Sequence, residues 1–205
     1  MSRKLAAFVL VGTLCGTGLA AAQDASSPTP GFVEVTYMPI GAGFVPAKGK
    51  TSPSFGNYGF GTSVTFNINR MVGFEGEVST MLATTSDLQF GDVKSNTKAP
   101  NLLSYTGNVL VSPWTFGAFV PYGTVGIGGL TMFARPALGV KDDENFLAGN
   151  FGGGIKWYAK NNKWGLRGDY RLGVVRSKDD APAFFGQETR LMHRVYGAVV
   201  INAIK

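Results

Sequence analysis

The sequence has 205 residues, the length of one domain, with a formal net charge of +6 and 29 glycines. The basic excess is modest and no Lys/Arg run stands out, which argues against a nucleic-acid partner. Beyond the N-terminus no stretch approaches the roughly 20 apolar residues of a transmembrane helix, so a membrane-spanning form must be a closed β-barrel.

The chain opens MSRK and continues LAAFVLVGTLCGTGLAAAQ. A basic start, an apolar run and a small-residue site make a secretory signal peptide over residues 1–22, cleaved between Ala22 and Gln23. The run is short for an anchoring helix and holds several Gly and Thr. Gly12-Thr13-Leu14 ahead of Cys15 do not make a lipobox. Cys15 is the only cysteine and leaves with the signal. Arg3 and Lys4 leave too, which lowers the formal charge from +6 to +4. A mature chain with no thiol suits export through an oxidising compartment. Residues 23–30, QDASSPTP, form a short polar leader, and the barrel domain is expected over 31–205.

Strict period-two alternation then marks strands. Over residues 32–44, Val33, Val35 and Tyr37 oppose Glu34 and Thr36. Pro39 cannot donate to a ladder, so a bulge or strand end is expected there. Residues 46–53 read as a loop. Over 58–69, Tyr58, Phe60, Val64, Phe66 and Ile68 oppose Gly59, Gly61, Ser63, Thr65 and Asn67, and a tight turn follows at Asn69-Arg70. The third strand sets Val72, Phe74, Val78 and Leu82 against Glu75, Glu77 and Ser79. Residues 83–101 read as a long polar loop.

The fourth strand, 103–111, points Tyr105, Val109 and Val111 one way and Ser104, Thr106 and Asn108 the other. An aromatic connection, SPWTFGAFVP, leads to a fifth strand over 122–133. Residues 135–144 form another polar loop. Residues 144–175 then read as a long hairpin turning at Asn161-Asn162. Leu147, Phe151, Ile155 and Trp157 share one face, as do Trp164, Leu166, Tyr170, Leu172 and Val174. Lys156, Arg167, Asp169 and Arg171 lie on the opposite face. The last long loop covers 176–190 and the eighth strand 192–204.

A soluble sandwich buries its apolar face and wets the other. Here the polar face carries charges flanked by glycines and the strands are long, as in a membrane barrel with its apolar face to lipid. The connections alternate long and short, as external loops and periplasmic turns do. The reading is all-β: an eight-stranded antiparallel up-and-down transmembrane barrel with both termini on the periplasmic side. Trp114, Trp157 and Trp164, with Phe116 and Phe119, fall in or beside short turns and belong to a periplasmic-side aromatic girdle.

Residues 150–171, NFGGGIKWYAKNNKWGLRGDYR, resemble the late hairpin of the small outer-membrane β-barrel domain proteins, the OmpA-like/OmpX-like class. The resemblance covers the whole mature chain as a pattern and is sharpest over 146–171. It implies an eight-stranded barrel, assembly by the outer-membrane insertion machinery and a Gram-negative host. The setting it implies is the cell outer membrane, with its lipids and lipopolysaccharide as surroundings. The resemblance departs at one point: members of the class usually end on an aromatic residue, and this sequence ends VYGAVVINAIK.

The chemistry-bearing residues are the inward charges. Glu34, Glu75, Glu77 and Asp169 share the interior with Lys156, Arg167, Arg171 and Arg194. Buried charge is tolerated when paired, and an eight-strand interior is just wide enough for side chains to fill it. A salt-bridge plug is therefore expected, with a narrow path for ions or small solutes as the alternative. A soluble lipocalin-like periplasmic barrel is the fold-level alternative and needs the inverse orientation of faces.

His193, the only histidine, falls outward by parity with Val195 and Val199. It has none of the companions that a zinc site needs, and LMHRVYG lacks the His-x-Ser pattern of the lipid A deacylases, so an interfacial or packing histidine is expected. The glycine clusters GNYGFG, GTVGIGG and NFGGGI precede no helix and are not phosphate loops. The RGD at 167–169 sits in mid-strand with Arg167 and Asp169 inward. Asp142, Asp143 and Glu144, and Lys178, Asp179 and Asp180, read as solvated loop tips. The expectation is a monomer with no cofactor and no catalytic activity, serving envelope integrity or surface interaction.

Overall fold

A computed structural model describes residues 30–48, 52–90, 92–182, 184–185 and 187–204. The expected signal peptide, its Ala22/Gln23 cleavage site and the leader up to residue 29 lie outside the described residues. Among the described residues ten strands follow in order: β1 (Val33–Val45), β2 (Phe55–Asn67), β3 (Val72–Ala83), β4 (Leu88–Phe90), β5 (Val93–Ser95), β6 (Leu102–Val111), β7 (Phe119–Met132), β8 (Glu144–Tyr158), β9 (Trp164–Val175) and β10 (Arg190–Ile204). Eight of them close one barrel in the order β1-β10-β9-β8-β7-β6-β3-β2, every pair antiparallel. β4 and β5 pair separately as a small hairpin.

Alternation sets the faces. Tyr37, Phe66, Val78, Ile127, Phe151 and Leu166 stand exposed on the outer wall. Glu34, Thr65, Glu75, Asn108, Lys156 and Arg171 are buried inside. A lipocalin-like soluble barrel requires the reverse.

The local chemistry explains the joints. β1 breaks register on both sides between Tyr37 and Gly41, around Pro39, whose carbonyl accepts a hydrogen bond from the Tyr58 hydroxyl. At the first short turn Asn69 Oδ1 accepts from the backbone N–H groups of Met71 and Val72, both at 2.8 Å. At the 159–163 turn Asn162 adopts φ 49°, the left-handed region that Asn tolerates.

Several boundaries differ from the sequence reading. β7 starts at Phe119, earlier than expected, and takes Pro121 into the strand. The β6–β7 ladder ends at the Val111–Gly123 pair, so the proline removes no bond from it. β10 begins at Arg190 rather than 192, and the 83–101 loop contains the β4–β5 hairpin.

The long loops are also less polar in their packing than their composition indicates. Leu88, Val140, Phe184 and Phe185 fold into the mouth of the barrel and are buried there. They meet inward-facing strand-end residues such as Phe55, Leu130, Phe146 and Met192. The Phe184 and Phe55 rings stack at 5.6 Å, and Phe185 meets Phe146 edge-on at 5.4 Å. An apolar cap thus closes the loop end of the lumen.

Candidate functional site

β3 and β9 lie diametrically opposite in the closed order. Their inward side chains meet across the lumen. Glu75 on β3 bonds Arg167 on β9, and its Oε1 accepts from Arg171 Nη2 at 2.7 Å. Glu77, two residues on, meets Arg171 Nη1 at 3.0 Å and Arg194 Nη1 of β10 at 3.1 Å. Asp169, between the two arginines on β9, meets Arg167 Nη2 at 2.5 Å and Arg171 Nη2 at 3.1 Å. All six side chains are essentially inaccessible to solvent.

Lys156 and Glu34 form a second pair, 2.5 Å apart, nearer the short-turn end. The Tyr158 hydroxyl donates to the same carboxylate. The structure therefore divides the eight sequence-predicted charges into a six-residue network and one separate ion pair.

Neutral groups fill the gaps. The Tyr122 hydroxyl donates to Asp169 at 2.6 Å and accepts from Arg167 Nε at 2.7 Å. Asn108 donates to Glu75 at 3.2 Å, and Asn150 donates to Asn108 at 2.9 Å. Inward glycines give this network its room. A Cβ on Gly154 would sit 2.2 Å from the Gly168 carbonyl oxygen and 2.5 Å from the Tyr122 hydroxyl. A Cβ on Gly126 would sit 1.9 Å from Asn108 Oδ1. The space is already taken by the backbone of the adjacent strands and by the Tyr122 and Asn108 side chains.

Sequence reasoning missed Tyr122, Tyr158, Tyr196 and Arg190. All four are buried. Tyr158 shares parity with Lys156, and Tyr196 and Arg190 with Arg194, so alternation pointed to them once strand ends were known. Arg190 donates to the carbonyls of Pro46 at 2.8 Å, Pro53 at 2.9 Å and Phe184 at 3.3 Å, and its guanidinium lies over the Phe185 ring. It ties the 46–54 and 176–189 loops together under the cap.

Trp157 and Trp164 meet edge-on at 5.6 Å beside the 159–163 turn. Trp114 lies apart from them, 61 % exposed, in the short connection between β6 and β7. Both connections emerge at the barrel end where β1 starts and β10 ends. Among the loop acids, Asp143 accepts from the Ala134 backbone N–H at 2.8 Å rather than standing free. Lys178 joins Glu144 at 3.1 Å and Asp180 at 3.5 Å. The Glu144 hydrogen bond holds the Lys178 ammonium pKa above its ordinary value.

An apolar outer wall, a charged interior and full closure of the hydrogen-bond ladder define a transmembrane β-barrel. Residues 7–187 match the outer membrane protein beta-barrel domain, and the chain belongs to that family. It is accordingly a protein of the Gram-negative cell outer membrane. Among solved structures it resembles Neisserial surface protein A (NspA), with 13% identity over 83% of this chain and 96% of that one and a TM-score of 0.55. It also resembles Ail, the attachment invasion locus protein of Yersinia pestis, in complex with the heparin analogue sucrose octasulfate: 10% identity, 84% and 99% coverage, TM-score 0.51. OprG from Pseudomonas aeruginosa gives 14% identity, 87% and 98% coverage, and a TM-score of 0.47. At these identities the likeness speaks for the fold. No curated protein matches the sequence.

Proposed function

We propose that the chain is a monomeric, non-conducting, non-catalytic barrel serving envelope integrity and surface interaction through its external loops. One observation carries the reading: Glu75 is ion-paired to Arg167 and Arg171 across the full diameter of the lumen. A permeating solute would have to part these charges, and a buried charge stripped of its partner costs several kcal/mol. The apolar cap of Phe184 and Phe185 lies over the same column of space. A channel needs a continuous wet path, which these two layers interrupt. Each inward acid of the network is engaged by a base, which leaves none poised for proton transfer.

Reconstitution of the full mature chain in planar bilayers tests this. The expected record has no steady open level, and a reproducible open level from the wild-type barrel overturns the plug. Signal cleavage after Ala22 and assembly by the insertion machinery belong to the same reading. N-terminal sequencing of the protein recovered from outer membranes is expected to start at Gln23; a start elsewhere moves the processing site.

A further inference from the structure

The outer wall carries a polar pair. Tyr170 on β9 and His193 on β10 project outward, and the phenol oxygen lies 2.8 Å from His193 Nδ1. Their rings are 6.2 Å apart. Tyr170 is 44 % exposed and His193 half-buried. The surrounding outward side chains are apolar: Phe44 pairs with His193 from β1, Leu172 from β9, and Val195 opposes Tyr170. A polar pair facing hydrocarbon without a partner is costly, so its depth matters.

Lys48 and Glu188 fix that depth. They are exposed at the loop end, and Lys48 Nζ donates to the Thr189 carbonyl at 3.0 Å. His193 lies four residues below Thr189 along β10. At about 3.3 Å per residue and a tilt of roughly 40°, the imidazole sits about 10 Å beneath this charged rim. That is the boundary between headgroups and acyl chains of the outer leaflet.

We propose that the Tyr170–His193 pair is a binding site for the phosphorylated, multiply acylated glycolipid of the outer leaflet. The phenol O–H donates to Nδ1, which leaves the imidazole proton on Nε2. Nε2–H then donates to a phosphate or sugar oxygen at headgroup depth, and Tyr170 fixes the ring that presents it. Phe44 and Leu172 flank the imidazole and take the first methylenes of an acyl chain. The chain continues down the same seam, over Gly168 and Gly197, which pair across β9 and β10. A Cβ on Gly168 would meet nothing within 4 Å, and one on Gly197 only the Ile40 carbonyl oxygen at 4.0 Å, so the wall is recessed there. Gly76 and Gly107 pair in the same way on the β3–β6 seam, with Val78 and Tyr105 rather than a His–Tyr pair in the row above. The inference rests on the loops facing outward and not on the closed lumen.

The test uses the full mature barrel in phosphatidylcholine nanodiscs doped with lipid A or, separately, with phosphatidylglycerol. Native mass spectrometry counts the lipid retained, and imidazole NMR resonances of His193 report on contact. The expected result is one lipid A retained with a shift of the His193 resonances, and neither effect with phosphatidylglycerol. His193→Phe and Tyr170→Phe, both folded by their heat-dependent gel mobility, are each expected to lower lipid A retention about tenfold, the loss of a hydrogen bond to a charged group. Gly168→Leu fills the recess and is expected to lower it too, whereas Gly107→Leu on the other seam leaves it unchanged. Equal retention by His193→Phe and wild type overturns the proposal. Equal retention of phosphatidylglycerol by the wild type overturns the choice of glycolipid. A conducting barrel that still retained lipid A would overturn the plug and leave this site standing.

Discussion

Arg171 is the most connected cation in the lumen, with Glu75, Glu77 and Asp169 all within salt-bridge distance. Arg171→Met keeps the bulk and removes the charge, leaving three buried acids short of a base. The expected cost is about 3–5 kcal/mol in equilibrium unfolding from detergent micelles. Glu75→Gln combined with Arg171→Met should cost less than the two changes added, because each alone strands the other's charge. Additive losses would mean that the two side chains do not share a network. Glycine offers a sharper contrast. Gly154→Ala puts a methyl 2.2 Å from the Gly168 carbonyl, so folding yield is expected to collapse. Gly107→Ala points into open space on the lipid face and is expected to change stability by under about 0.5 kcal/mol. Parity alone placed the eight lumen charges, because a one-residue slip would have thrown every one of them into lipid. It left out Tyr122, whose position fell at the expected start of a strand that begins three residues earlier.

At the scale of elements, the β8–β9 hairpin was the most legible part of the chain. Its alternation runs without a break on both sides of a turn whose left-handed residue is Asn162, a type suited to that backbone. The Pro39 irregularity was legible for a similar reason, since a residue without an N–H cannot sit unnoticed in a ladder. The cap was not legible. Loop residues have no period, so nothing in DDAPAFFGQE marks Phe184 and Phe185 as buried. Only the folded barrel brings them against Phe55, Phe90 and Phe146. Phe185→Ala is expected to cost about 3–5 kcal/mol through the cavity it leaves in the mouth. The external loops should then become sensitive to protease in intact cells while the barrel strands stay protected. Loops that resisted digestion as well as the wild type would show that the cap does not depend on this ring.

For the whole molecule, the decisive quantity is which end faces the medium. β6, the shortest barrel strand with 10 residues, rises about 25 Å at a tilt of roughly 40°, the height of the apolar band of an outer-membrane barrel. At one end of that band lie the start of β1, the end of β10, the short turns and the paired tryptophans; at the other lie the long loops and their cap. Trp157 and Trp164 belong at an interface, where an amphipathic ring meets headgroups, and the described connections at that end are short turns. The proposed function accordingly needs the loops to face outward. Single cysteines test this directly, because the only native cysteine, Cys15, lies in the expected signal peptide and the wild type serves as the unlabelled control. Asp142→Cys is on an exposed loop tip and Lys160→Cys on an exposed short turn. A membrane-impermeant maleimide added to intact cells is expected to label the first and to reach the second only after the outer membrane is opened. Labelling of Lys160→Cys alone would invert the barrel and move the Tyr170–His193 pair to the inner leaflet. Labelling of neither until the membrane is opened would mean that neither barrel end reaches the medium and would overturn the spanning orientation.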